Sequence, residues 1–312
     1  MSTPITILRL HAYAGPNIYG PSPGVWLRLQ CDRDYTPRLR AALKDGAQTI
    51  GMIIANLNVE AQAVDEGYQL TALFGTDAPN LGAALVTYVI EGITAEVQGD
   101  PDWDADEPLL TLQTRRRNEA LPVAALQLIA EARTRGLPSF VRADGWVQLG
   151  YGVHGWGFDP TRLWGNQTTP PTPPWNQLAS IPIVAVTGQT QRTATVGRLA
   201  DELAARGLQP YVLDGVGFAA TRVALADPAA EALILGLDSG DMLRHGLAFD
   251  RCELAVISDR EGPRPAEADD DEAWVRALGI PMLLSPAPVR LNLSDPGLQA
   301  LIPYAPNGVI AL

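Results

Sequence analysis

The chain has 312 residues, 46% hydrophobic and 19% charged, which is room for two domains with substantial cores. Its net charge of −12 argues against a nucleic acid or other polyanion as partner. Lys44 is the only lysine among 23 basic residues, so a lysine-dependent catalytic step has one candidate.

Residues 5–13 alternate apolar and polar positions and predict a strand, followed by a turn at Gly15-Pro16-Asn17. Residues 25–31 predict a second strand, and 36–45 a helix with Leu39 and Leu43 at i,i+4. A strand is expected over 68–74. A longer helix is expected over 80–97, where Leu81, Leu85, Val89, Ile93 and Val97 repeat every four residues behind Asn80 as N-cap. Residues 109–113 read as a strand. Residues 120–135 read as an amphipathic helix ending at Gly136, with Arg133 and Arg135 in its last turn. Strands at 139–142 and 146–151 flank Asp144-Gly145, a hairpin signal.

Residues 152–178 change character. Gly155, Gly157, Pro160, Gly165, Pro170, Pro171, Pro173 and Pro174 leave little room for regular structure. Trp156, Trp164 and Trp175 suggest a segment lying against a surface. Beyond it strands and helices alternate: strand 181–187, helix 193–206, strand 209–214, helix 218–226, strand 232–237, a strand within 249–258, helix 270–278 and strand 280–284. That order predicts a parallel sheet with right-handed crossovers. Residues 285–312 read as loops and short strands. The fold class is α/β: an α+β N-terminal domain over 1–117, a helix plus hairpin over 118–151, a linker over 152–178 and a mainly parallel-sheet domain over 179–312.

The run from Ile181 to Val186, then Thr187 and Gly188, has the outline of a nucleotide-binding turn: an apolar strand, a glycine, a polar turn and a helix whose N-terminus favours an anion. A phosphate-binding loop also needs a second glycine and a lysine. Gln191 and Arg192 stand in those places, with Thr193 following.

The segment 181–188, and above all the run from Leu243 through Arg244, His245 and Phe249 to Val256, resemble the Mur-ligase-like central domain of the cyanophycin synthetase family. The regions around Gly15-Pro16-Asn17 and Val89-Ile90-Glu91 resemble that family's N-terminal domain, and the stretch from Asp144 to Gly152 resembles the entry to its ATP-grasp domain. Where the family has a whole ATP-grasp domain, this chain has the short Pro/Trp segment, and a C-terminal Mur-ligase domain is missing or reduced to about the last 30 residues. The resemblance implies a P-loop-type Mur-ligase central-like domain over 179–312. It also implies Gly and Lys where Gln191 and Arg192 stand, a retained Thr193 able to meet Mg²⁺, and a metal-binding Glu where Gly236 stands. The family's Asn and His have no match in residues 258–262. Arg is no simple substitute for Lys, being a planar fork and not a point charge. A zinc-type His-x-x-Glu-His element in some members falls on Tyr88 to Gly92, where only Glu91 survives; His11, His154 and His245 are dispersed, and no metal is expected.

Three readings follow. The first is a non-catalytic relative acting as a scaffold, regulatory or partner subunit. The second is an ATP-dependent amide ligase with an altered loop, in which Arg192 contacts phosphate, Thr193 holds Mg²⁺, and Asp238 or Asp241 replaces the lost Glu; the bland alternative for those two is a capped turn. The third is nucleotide or anion binding without catalysis at Gly188, Gln191, Arg192 and Thr193, against an Arg192 paired with a local carboxylate such as Asp214 or Asp238. Faces left open by lost domains suggest a homo-oligomer, most simply a dimer, or a hetero-complex with an active Mur-type ligase. Cys31 and Cys252 read as free thiols. The N-terminus lacks the pattern of a signal peptide, and no apolar run of about 20 residues spans a membrane, so the expected location is cytoplasmic. Glu267 to Glu272, with five carboxylates in six residues, reads as a solvated loop.

Overall fold

The structure is a computed structural model and describes residues 4–164 and 171–312. Gly165 and Pro170, two of the residues marking the Pro/Gly segment, lie outside the described residues. The chain divides into two compact units, residues 1–15 with 22–120 and residues 16–21 with 121–312.

The first unit contains β1 (Ile5–Tyr13), β2 (Gly24–Cys31), α1 (Thr36–Thr49), β3 (Ala55–Val64), β4 (Gly67–Gly75), α2 (Pro79–Gln98) and α3 (Asp106–Glu119). Its four strands form an antiparallel sheet in the order β1-β2-β4-β3. Leu39, Leu43 and Ala47 of α1 and Leu81, Leu85, Val89 and Ile93 of α2 bury their four-residue stripes in one core with Val25, Leu27, Leu29, Leu70, Ala72 and Phe74. Three expectations are corrected here. The first helix runs past 45 to Thr49, because Ala47 continues the buried stripe. Asn80 is not a cap: Pro79 opens α2 behind Ala78, and no side chain bonds the helix start. Residues 109–113 are not a strand but lie within α3. There Asp106 and Glu107 start the helix and Arg116 and Arg117 end it, both favourable to the dipole, while Arg115 pairs with Glu119 at 2.6 Å. β3 had no sequence signal, since Val59 is its one buried residue.

The second unit begins with α4 (Val123–Thr134) and a three-stranded antiparallel sheet, β5 (Ser139–Val141), β6 (Val147–Leu149) and β7 (Trp156–Phe158). The hairpin turns on Gly145 at φ +83°, with Asp144 accepting from Trp146 N at 3.1 Å. Ala125 and Ala132 of α4 pack on Val147, Leu149 and Phe158. Residues 152–178 hold more regular structure than their Gly and Pro content suggests: β7 and two short 3₁₀ turns, 152–154 and 160–163. Trp156 packs on Phe158 with centroids 5.4 Å apart, and Arg135 lies 4.8 Å over the Trp175 ring.

The remaining elements are β8 (Ile183–Thr187), α5 (Arg192–Ala204), β9 (Tyr211–Val216), α6 (Phe218–Ala226), β10 (Leu233–Leu237), α7 (Ser239–His245), β11 (Leu254–Ile257), α8 (Asp271–Gly279), β12 (Val289–Leu291), α9 (Pro296–Gln299) and β13 (Val309–Ala311). All six strands are parallel, in the order β13-β12-β11-β8-β10-β9. The α/β class with a parallel sheet is therefore observed. The strand expected at 280–284 is a 3₁₀ turn, Ile280–Leu283: Pro281 locks a helical φ and has no N–H for a ladder, so the apolar run extends α8. α7 is too short to show a helical period in the sequence. No helix among the described residues is long and apolar enough to cross a membrane.

Candidate functional site

The chain runs from β8 outward to β9, back to β10, and then crosses to β11 on the other side of β8. β8 and β11 are thus the neighbours at which the winding reverses. In open α/β sheets the ligand crevice lies at such a point, outside the carboxyl ends of the strands. The turn after β8 and residues 258–261 after β11 meet there.

Gly188 has φ +143°, a region that favours glycine, and a Cβ on it would fall 2.0 Å from Ser258 Oγ. The following turn presents three successive backbone N–H groups to one carboxylate. Asp259 accepts from Gln189 N at 3.2 Å, Thr190 N at 2.9 Å and Gln191 N at 2.9 Å. It accepts as well from Thr190 Oγ1 at 3.1 Å, Glu261 N at 3.1 Å and Ser258 Oγ at 2.8 Å. Such a concave run of N–H groups at a helix start is an anion receptor. Here its anion is a side chain of the same chain, 1% exposed. Burial would raise the Asp259 carboxyl, but the hydrogen bonds from Ser258, Thr190, Gln191 and Glu261 together outweigh it and hold the group below the usual carboxylate range.

Arg192, the first residue of α5, turns away from the receptor. Its Nε donates to Asp214 Oδ1 at 2.8 Å and its Nη1 to Leu237 O at 3.3 Å. Thr193 Oγ1 donates to Asp214 Oδ2 at 2.5 Å. Asp214 reaches them across β10, over Gly236: the two residues are register partners, and a Cβ at 236 would lie 2.1 Å from Asp214 Oδ1. Burial raises the Asp214 carboxyl, and the bonds from Thr193 and Arg192 overcome it, so the group stays ionised below the usual range.

Asp238 and Asp241 stand apart from this pair. Asp238 is the N-cap of α7, accepting from Asp241 N at 2.7 Å. Asp241 accepts from Phe218 N at 2.5 Å, tying α7 to the start of α6, and its Oδ1 lies 3.0 Å from His245 Nδ1. In the first unit Glu91 is exposed and the Tyr88 ring packs on Trp103 at 6.4 Å. Among the described residues no group of three metal-ligating side chains comes together.

Beside the filled turn is a cleft of about 850 Å³, lined in part by Gln191 of the turn, Arg198 of α5, Arg260 and Glu261 after β11, and Asn292 and Ser294 after β12. Glu261 accepts from Thr190 Oγ1 at 3.1 Å and from Gln191 Nε2 at 3.4 Å, placing a second carboxylate beside the loop.

A family model matches residues 4–312, nearly the whole chain. The chain belongs to DUF4938, a domain of unknown function. The chain also shows distant similarity to cyanophycin synthetases. The enzyme of Geminocystis herdmanii is 29% identical over 142 residues, covering 39% of this chain and 16% of that protein. The enzyme of Synechocystis sp. is 29% identical over 140 residues, with the same coverage. The matched segment therefore spans about a sixth of each relative's own length.

Gly188, Gln191, Arg192 and Thr193 come together at the head of α5; Asp238 and Asp241 do not join them. The residue that sequence reasoning missed is Asp259, which it passed over as part of a stretch lacking Asn and His. One signal was available: an acidic residue two positions beyond an apolar parallel strand stands at the carboxyl end of the sheet, beside the loop of its neighbour.

Proposed function

We propose that this member of DUF4938 is a ligase-related protein that neither holds nor turns over a nucleotide at the Gly188 turn, and acts as a scaffold, regulatory or partner subunit. The observation that carries this reading is the Asp259 carboxylate on the amides of Gln189, Thr190 and Gln191, where a phosphate would bind. A phosphate approaching this turn meets a buried negative charge that already holds the N–H groups of Gln189, Thr190 and Gln191. The cation side agrees. Arg192 and Thr193 bond to Asp214, and Gly236 has no space for a carboxylate of its own. ATP with Mg²⁺ does not fit the residues as they stand, and no catalytic step is assigned to it. On this reading the protein is cytoplasmic and works as a homo-oligomer, or in complex with an active Mur-type ligase. Isothermal titration with ATP and Mg²⁺ up to millimolar nucleotide, with assays of ATP hydrolysis and amino-acid ligation, tests it. No binding and no turnover are expected; turnover abolished by Arg192→Ala overturns it.

One observation favours the altered-loop amide ligase instead: the Thr193 hydroxyl and Asp214 carboxylate lie 2.5 Å apart, a pair of the kind that holds Mg²⁺. On that reading Asp214, and not Asp238 or Asp241, takes the place of the carboxylate absent at Gly236. Mg²⁺-dependent ATP binding lost on Asp214→Asn would establish it.

A further inference from the structure

β3 is an outer strand of the first unit's sheet and pairs only with β4 among the described residues. Val64 and Gly67 flank a two-residue turn, so they form its first hydrogen-bonded pair. Counting back by twos, Gln62, Glu60 and Asn58 direct their backbone groups to β4, while Ala63, Ala61 and Val59 direct theirs outward. One contact confirms the parity: the Val59 carbonyl accepts from Arg40 Nη2 at 3.0 Å, as an outward carbonyl can, and keeps a second lone pair. Residues 60–64 are all exposed.

Outer strands are usually blunted by lysine, proline or a bulge. β3 has no lysine, no proline and one charge, Glu60; its irregularity is confined to the first residues, where Asn56 has φ +53°. The run from Asn58 to Val64 is left as a regular open edge. Its sequence is self-complementary about a two-fold axis at Ala61. Ala61 then faces Ala61 of a second copy, Val59 faces Ala63, and on the even-numbered face Glu60 stands opposite Gln62, twice. An axis at Val59 would bring the Asn56 irregularity into the pairing. An axis at Glu60 would oppose two like charges and present backbone groups already bonded to β4.

We propose that β3 is the interface of a homodimer, in which two copies join antiparallel at Ala61 into one eight-stranded sheet. The inference is independent of the nucleotide turn. Gel filtration with light scattering from 1 to 200 μM, using the full chain, tests it. These concentrations are chosen for the roughly micromolar range of a small interface. The wild type is expected to dimerise across this range. Gln62→Glu, which puts like charges across both Glu60 positions, weakens the dimer about fivefold, and Gln62→Lys tightens it by a similar factor. Ala61→Pro removes an outward N–H without touching the bonds to β4, so it gives a monomer with unchanged circular dichroism. The amides of Ala61 and Ala63 gain exchange protection as concentration rises. A wild type that stays monomeric at 200 μM overturns the proposal. So does a dimer that Ala61→Pro leaves intact, or one whose strength Gln62→Glu and Gln62→Lys shift alike.

Discussion

Gly236 and Asp214 are register partners on neighbouring parallel strands, and the Asp214 carboxylate lies where a side chain at 236 would begin: a Cβ there falls 2.1 Å from Oδ1. The glycine is what allows Asp214 to reach Arg192 and Thr193 across β10.

Gly236→Ala should therefore act through Asp214. The methyl group forces the carboxylate away from Arg192 and Thr193, and the variant is expected to lose about 1–3 kcal/mol of stability. Pairing it with Asp214→Ala should cost much less than the sum of the two single changes, because the clash is already gone. Urea unfolding of the four-protein cycle measures this; additive effects would show that the two positions do not communicate.

Asp259→Ala removes the common acceptor of three turn amides and leaves them facing a cavity. A loss of about 1.5–3 kcal/mol is expected, since the bonds lost are to a charged acceptor. Hydrogen exchange should speed up at Thr190 and Gln191 before it changes in β8. Asp259→Asn, which keeps one acceptor oxygen, should fall between. If the alanine variant matches the wild type in stability, the carboxylate is not holding the turn.

Both carboxylates make the protein sensitive to acid. Asp214 and Asp259 titrate below the usual range in the folded chain, while in the unfolded chain they return to a value near 4. The unfolded state thus binds protons first as pH falls. The stability they contribute is complete above about pH 4 and disappears as pH drops through their folded values. The stability gap between wild type and Asp259→Asn should accordingly narrow below about pH 4. A gap constant from pH 7 to pH 3 would contradict the linkage.

Cys31 and Cys252 are buried free thiols. Burial, with a smaller contribution from Asp32 and Asp34, pushes Cys31 up to about 11; burial, with Glu253, pushes Cys252 up to about 12. Iodoacetamide at pH 8 should modify the folded protein about a hundredfold more slowly than the unfolded chain. Rapid labelling of one thiol would locate local opening around that residue.

The strand and helix alternation over 181–278 was legible because each element signals itself locally, through a β-branched run or a four-residue stripe. The legible part of the site was the head of α5: Gly188, Gln191, Arg192 and Thr193 are adjacent in sequence. Elements failed where local apolarity misled. Ile280–Leu283 has the composition of a strand, but its proline decides for a helical turn. Leu109 and Leu112 sit on one face of α3, whose charged ends fix it as a helix. β3 left no trace, because an edge strand with one buried side chain has almost no pattern to read.

By itself the sequence determined that a glycine turn ends a buried strand and opens a helix, and that the chemistry of a nucleotide loop is altered at Gln191 and Arg192. Only the tertiary structure decided what replaces that chemistry. Asp259 reaches the turn amides from 68 to 70 residues away, and Asp214 meets Arg192 across 22. Those contacts depend on the strand order that sets β11 beside β8 and β9 beside β10. Sheet order is fixed by the packing of the whole unit, and no local period in the sequence carries it.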